Sequence, residues 1–341
     1  MTADVTLLLG TSQGRGQHQE DGLFLARLSG EVRSLGLSGL GGFRSPVLAD
    51  VDYPDRLYAP TVGEGVWLST DGGKSWEERN RGLTYKEVWS LVQHPQTGVL
   101  LAGTGPAAIF ASHDRGQTWS EYAALRALPS SREWTFPGPP YCSHVKGLCV
   151  QGDDGRHIMG AIEEGWLVQS LDGGASWENL QDGCEFDSHG VRVMPDDPNV
   201  IVAFAGTGIY KSRNRGKSFE PSFEGLDRRY MSGLAVHPGA PQRLFAAATE
   251  LPPPGWRRPE GASTGFYVSH DQADSWTRVT EGLPGYFTAG ARAVAGHPTD
   301  PDRYFVGLSD GTLWTSDDGA VSFHKVLDGL PPVSSIGVLG Q

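Results

Sequence analysis

The chain has 341 residues, with 40 acidic side chains against 28 basic ones and a formal net charge of −12. That balance argues against nucleic acid and anionic membrane as partners, and no stretch reaches the roughly 20 apolar residues of a membrane span. Three cysteines, Cys142, Cys149 and Cys184, do not make a secreted disulfide framework. Together with an N-terminus lacking a charged-then-apolar signal, they give the expectation of a soluble, cytoplasmic protein.

The 47 glycines and 23 prolines suit many short strands joined by tight turns. In chain order, Val5–Thr11, Leu23–Leu28 and Val32–Leu37 predict three strands. An eight-residue turn follows at 69–76, Ser-Thr-Asp-Gly-Gly-Lys-Ser-Trp. Its aspartate can fold back onto the turn's own N–H groups. A glycine accepts positive φ, and the tryptophan anchors the next strand. Variants of the same turn begin at residues 112, 170, 212, 269 and 316. Asn214 replaces the aspartate in one, Ala273 the glycine in another, and Phe219 and Phe323 stand for tryptophan. The repeat spacing is near the 40–50 residues of a four-stranded propeller blade.

Each repeat parses as an inner strand, two middle strands and an outer strand after the turn. In the third these are Trp89–His94, Val99–Gly103, Ala108–Ser112 and Trp119–Tyr122. The first three strands lack an inner partner, and the last strand, Val333–Leu339, has nothing after it. The simplest inference is a single all-β domain over residues 1–341, a seven-bladed β-propeller whose first blade is closed by the C-terminal strand. Closure removes the exposed sheet edge. Six blades plus a separate hairpin is the alternative. Three insertions, at 12–22, 125–141 and 251–264, fall on the face away from the signature turns, which favours a functional face.

The motif Ser-x-Asp-x-Gly-x-Ser/Thr-Trp resembles the Asp-box, or BNR repeat, of β-propellers. Sialidases, sortilin-like receptors, xyloglucan-cleaving glycosidases and photosystem II assembly factor-like proteins carry it. The resemblance covers nearly the whole chain and implies the fold. It implies no single chemistry, because those families share the turn and not the reaction.

Asp71, Asp114, Asp172, Asp271 and Asp318 repeat around the rim and never converge, so they read as structural. The starts of the inner strands do converge on the ring axis. Aligned on Pro95, Pro195, Pro238 and Pro298, they place Ser45, Trp89, Lys146, His189, Ser232, Arg292 and Ser334 at the channel mouth. Two residues earlier stand Phe43, Glu87, His144, Asp187, Tyr230, Gly290 and Pro332. Cys142, His144, Cys184, Asp187 and His189 could supply three or four ligands to zinc, copper or iron, with Glu87 or the top-turn pair Glu163 and Glu164 completing the site or acting as base. In the bland reading the histidines cap turns and the cysteines are small buried residues. A disulfide between Cys142 and Cys184 is a further alternative. Glu87, Asp187, Lys146 and Arg292 are the candidates for catalysis of hydrolase or lyase type. Trp89, Tyr230, Arg44, Trp134 and Trp256 are the candidates for ligand stacking and contact, although Trp134 and Trp256 could equally pin their loops.

Sialidase resemblance would rest on Phe43-Arg44-Ser45-Pro46, which departs from that family's Phe/Tyr-Arg-Ile-Pro at the third position. It implies Arg44, Arg192 and Arg292 on a substrate carboxylate, and Tyr286 or Tyr230 with Glu87 or Glu250 as nucleophile pair. Seven blades count against it. Generic glycoside hydrolysis needs two carboxylates roughly 5–10 Å apart; Glu87, Asp187, Glu163, Glu164 and Glu250 are the candidates for such a pair, and their separation is not a property of the sequence. The expectation is a propeller that binds a small molecule or metal at the channel mouth. A non-catalytic scaffold for a protein partner is the competing class.

Overall fold

The structure, a computed structural model, describes residues 5–12 and 21–340. Most of the 12–22 insertion therefore lies outside the described residues. Seven four-stranded antiparallel sheets form the ring, numbered here as blades 1 to 7. In blade 3 the strands run Glu87–Gln93, Leu100–Gly105, Ala108–Ser112 and Ser120–Glu121. The two middle strands are buried along their whole length. Neighbouring blades cover both of their faces, which is why they read as continuous apolar runs rather than alternating ones. Outer strands are short and exposed, as in Glu77–Glu78.

Blade 1 is completed by the end of the chain. Val333–Leu339 pairs antiparallel with Thr6–Thr11, with Leu339 across from Thr6 and Ser335 across from Gly10. The predicted outer strand of blade 3 starts later than expected because Trp119 is used otherwise. The Trp119 N–H is donated to Arg81 O of the preceding segment at 2.9 Å, whereas Tyr122 N–H still reaches Ile109 O of the neighbouring strand.

The Asp-box turns are self-satisfied. Asp172 Oδ1 accepts from Ser170 Oγ at 2.8 Å and from the Ser176 amide at 2.9 Å, and Oδ2 accepts from Ser176 Oγ at 2.6 Å. Ser170 Oγ accepts in turn from the Gly174 amide. Those bonds, led by the Ser176 hydroxyl, hold the Asp172 carboxyl down at about 2. Gly173 and Gly174 take φ of 74° and 90°. Where glycine is missing, Ala273 takes the same left-handed conformation at 66°, with its amide held by Ser269 Oγ.

Two devices recur around the ring. First, Trp119, Phe219, Trp276 and Phe323 donate their backbone N–H to Arg81, Asp182, Glu224 and Glu281 of the preceding blade's outgoing segment. The next residue in each segment is Gly82, Gly183, Gly225 or Gly282, each with positive φ. A Cβ there would run into the carbonyl of the same aromatic residue. This clasp joins blades 2–3, 4–5, 5–6 and 6–7. Second, the inner strands slip register by one residue around Trp89, Lys146, His189, Ser232, Arg292 and Ser334. The aligned opening positions are thus β-bulges, which release a side chain from the ladder and re-aim it.

Apolar cores lie between blades. The largest aromatic one sets Phe245 and Phe266 of blade 6 against Tyr304 and Phe323 of blade 7, with Phe245 stacked on Phe323 at 5.0 Å. Each such side chain contributes about 1.5–3 kcal/mol by burial.

Candidate functional site at the channel mouth

Blades 4 and 5 bring the acidic and imidazole groups together. Glu163 lies in the short turn between the middle strands His157–Ile162 and Leu167–Ser170. Its amide donates to His144 O, which sets the turn above the opening of its own inner strand. Glu163 Oε1 accepts from Lys146 Nζ at 2.8 Å, and Oε2 lies 2.6 Å from His144 Nε2. Although that contact is short, Nε2 makes no aligned hydrogen bond. Burial alone would raise the Glu163 carboxyl. The Lys146 ammonium, then His144 and His189, outweigh burial and hold it far below the usual carboxylate range. Burial pushes His144 the other way, toward its neutral form.

The rings are fixed by packing. Trp89 stacks on His144 with centroids 3.7 Å apart and planes 23° apart, and Phe136 from the 125–141 insertion covers it at 5.2 Å. Tyr230 meets the edge of His189 at 4.8 Å. His189 Nδ1 is 2.7 Å from Met231 O in blade 6, and Nε2 is 3.2 Å from Asp187 Oδ1. Glu164, next to the low Glu163, has its carboxyl pushed up by burial and then by the charges of Asp187 and Glu163. Its backbone sits at a φ of 54°.

Other predicted residues fall around this centre. Glu87 is exposed, and its Oε2, like Trp89 Nε1 and His144, crowds the space a side chain at Gly105 would need. Arg44 reaches the Trp89 ring at 6.0 Å, and Arg292 reaches the Trp256 ring at 5.5 Å. Desolvation, then Arg44, lowers Arg292 to about 10. Arg192 is turned to Val191 O and the Phe204 ring instead of joining those two arginines. Trp134 packs on Gly165, and Trp256 packs on Gly290 with its Nε1–H donated to Leu251 O at 2.8 Å. Both therefore pin their insertions to the ring. Tyr286 donates to Asp227 beside Arg228 and Arg278, in a rim cluster of its own, whereas Glu250 pairs with Arg228.

The cysteines do not join the histidines. All three are free thiols. Cys184 packs in the apolar layer between blades 4 and 5, with Sγ facing Glu185 O at 3.8 Å. Burial pushes its thiol up to about 12. Among the described residues, the donors that cluster as a metal site would require are Glu163, Asp187 and His189, one atom from each lying within 4.8 Å of the others. Sequence reasoning gave Glu163 only a supporting part. Its signal was the Glu163-Glu164-Gly165 turn on the same face as the insertions.

A cavity of about 630 Å³ opens at the other end of the inner strands, lined by His94, Gln151, Asp153, His157, Met194 and Arg215 among others. His94 is satisfied there: Nδ1 accepts from Thr97 N and Nε2–H donates to Gly152 O. The mouth, by contrast, holds buried polar atoms without partners, Nε2 of His144 and His189, Nε1 of Trp89, Oγ of Ser232 and Nε of Arg292. Chemistry favours the mouth over this cavity.

Fold and repeat define a seven-bladed Asp-box β-propeller. Residues 67–78 match the BNR/Asp-box repeat. The chain is 22% identical over 271 residues to a xyloglucanase of Hypocrea jecorina, covering 76% of this chain and 28% of that protein. A probable oligoxyloglucan-reducing end-specific xyloglucanase of Neosartorya fischeri is also 22% identical, with 35% of its length covered. The chain thus spans about a third of the curated relatives it matches. Among solved structures, the GH74 enzyme of Niastella koreensis superposes with a TM-score of 0.65 at 16% identity, over 85% of this chain and 46% of that one. YCF48 from Cyanidioschyzon merolae gives 0.55 at 15% identity, over 83% and 85%. Those likenesses show the fold. No helix among the described residues is long and apolar enough to cross a membrane.

Proposed function

We propose that the channel mouth binds a small polar molecule, held between the Trp89–His144 stack, Tyr230 and the carboxylates of Glu163, Glu164 and Asp187. One observation carries this reading: adjacent blades deliver buried, unpartnered polar atoms to the same opening. An unmade hydrogen bond on a buried group costs about 1–3 kcal/mol, so a ligand that satisfies several of them is stabilised there. Thermal melting of the full chain against a panel of sugars, sugar acids and phosphates tests it. A raised Tm that disappears in Trp89→Ala and Tyr230→Ala supports the site, and no shift across the panel removes it.

A hydrolytic role is favoured by the split between neighbouring carboxyls. Glu163 is held ionised while Glu164 is pushed toward its protonated form, and carboxyls with diverging environments are the pattern of an acid paired with a base. Glu164 would protonate a leaving oxygen, and Asp187 would activate water. Similarity to proteins named xyloglucanases directs the first assays to aryl glycosides and β-glucan oligosaccharides. Loss of turnover in Glu164→Gln with unchanged melting supports the assignment. If wild type turns over none of these substrates, the site is a binding site alone, and capture of a protein partner becomes the reading to pursue.

A further inference from the structure

We propose that Glu163, Asp187 and His189 hold one divalent transition metal, zinc or ferrous iron, at the floor of the mouth. His189 carries the argument. Its Nδ1 lies 2.7 Å from Met231 O, and a carbonyl only accepts, so Nδ1 bears the hydrogen. In the neutral tautomer that this contact selects, the ring presents a bare lone pair at Nε2. That atom is buried, in a residue 4% exposed, and has no hydrogen-bond partner. What it faces is Asp187 Oδ1 at 3.2 Å, another acceptor. Two acceptors turned toward each other, one on a buried ring and one on a carboxylate whose side chain is 32% exposed, call for a cation between them. A backbone carbonyl on the far nitrogen is also how metal-binding histidines are commonly oriented.

Glu163 is prepared in the same sense. Lys146 holds Oε1 and His144 stands against Oε2, and each oxygen keeps a second lone pair. Lys146 on one oxygen prevents both from chelating, so Glu163 is a one-oxygen ligand. The stack of Trp89 on His144 fixes the side chain that positions it. The three donor atoms lie within 4.8 Å of one another. Bonds of about 2.0–2.2 Å to a common ion need ligand atoms no more than roughly 4 Å apart, so the site closes by under about 1 Å on binding. Two carboxylate oxygens and one imidazole suit zinc or iron. Three protein ligands leave positions open to water or to a ligand's oxygen. The thiols take no part, because Cys184 is sequestered between blades.

The inference deepens the reading of the mouth as a ligand site, and the two can fail separately. Full-length protein is stripped with chelator, titrated with zinc by calorimetry, and checked for bound metal by elemental analysis after desalting. Cobalt serves as a spectroscopic probe. The expected result is one ion per chain, at least tenfold weaker in His189→Gln and in Asp187→Asn, unchanged in Cys184→Ser, with no thiolate-to-cobalt charge-transfer band. Melting curves without metal confirm that each variant is folded. Absence of uptake by wild type, equal affinity in folded His189→Gln, or a thiolate band would overturn the site. Sugar binding by protein that takes up no metal sinks the metal alone. Metal uptake without any small-molecule binding supports the metal and removes the ligand reading.

Discussion

Lys146→Met should uncover how much of the mouth is held by charge neutralisation. Glu163 and Lys146 side chains are 11% and 27% exposed, with Nζ 2.8 Å from Oε1. At an effective dielectric of about 20, that separation corresponds to about 6 kcal/mol of gross attraction. Much of it is offset by desolvation of both groups. What remains visible is the cost of stranding the carboxylate, about 3–5 kcal/mol for a fully buried pair. The partial exposure of Lys146 places this case at about 3. Glu163→Gln leaves the more exposed partner behind and should cost about 1–2 kcal/mol. The double variant should cost less than the sum of the singles by about 1.5–2 kcal/mol. Urea unfolding at pH 7 in chelator measures all four corners of the cycle. A cost below about 1 kcal/mol for Lys146→Met, or a strictly additive cycle, refutes the claim that Lys146 neutralises Glu163.

Acid should loosen the rim first. The Asp-box carboxyls, Asp71, Asp114, Asp172, Asp271 and Asp318, are all lowered. A lowered folded value means stability that is present above pH 4 and lost as pH falls from about 4 toward 2; unchanged melting temperature across that window refutes it. The Cys184 thiol, pushed to about 12 by burial, should react with a disulfide reagent at pH 8 only after denaturation. Rapid native labelling of Cys184, read in a variant lacking the other two cysteines, contradicts its placement. Trp119→Ala removes a side chain 4% exposed whose Nε1–H bonds Arg79 O at 2.7 Å, and should cost about 3–5 kcal/mol. A loss under 1 kcal/mol by denaturant titration means the box aromatic is not an anchor.

The ring was legible because its signals are local and repeated. A turn such as 170–177 carries its own bonding partners, and a strand such as Leu100–Gly105 announces burial by its run of apolar residues. Even the opening residues, Trp89, Lys146, His189, Ser232, Arg292 and Ser334, could be aligned, since each precedes the proline or turn that ends its strand by a fixed distance. What failed to show was anything decided across blades. Nothing in the sequence says that His189 would spend Nδ1 on Met231 O of the next blade, leaving Nε2 bare. Cys184 stands only five residues before His189, and sequence nearness suggested a shared site. The chain turns between them, so one enters the apolar layer and the other the mouth. Glu163 depended on a reverse turn whose reach toward His144 and Lys146 is set by sheet geometry rather than by composition.

The backbone clasps give the ring a hoop strength that its wedge-shaped apolar layers would not supply alone. Three seams, between blades 1 and 2, 3 and 4, and 7 and 1, lack that stitch among the described residues. At the seam of blades 3 and 4 residues 125–141 are inserted, and Tyr122 leans on Trp177 at 6.1 Å. A tear would start at one of these three seams, and His144 sits on the lip of the second, where loosening would offer a way into the mouth.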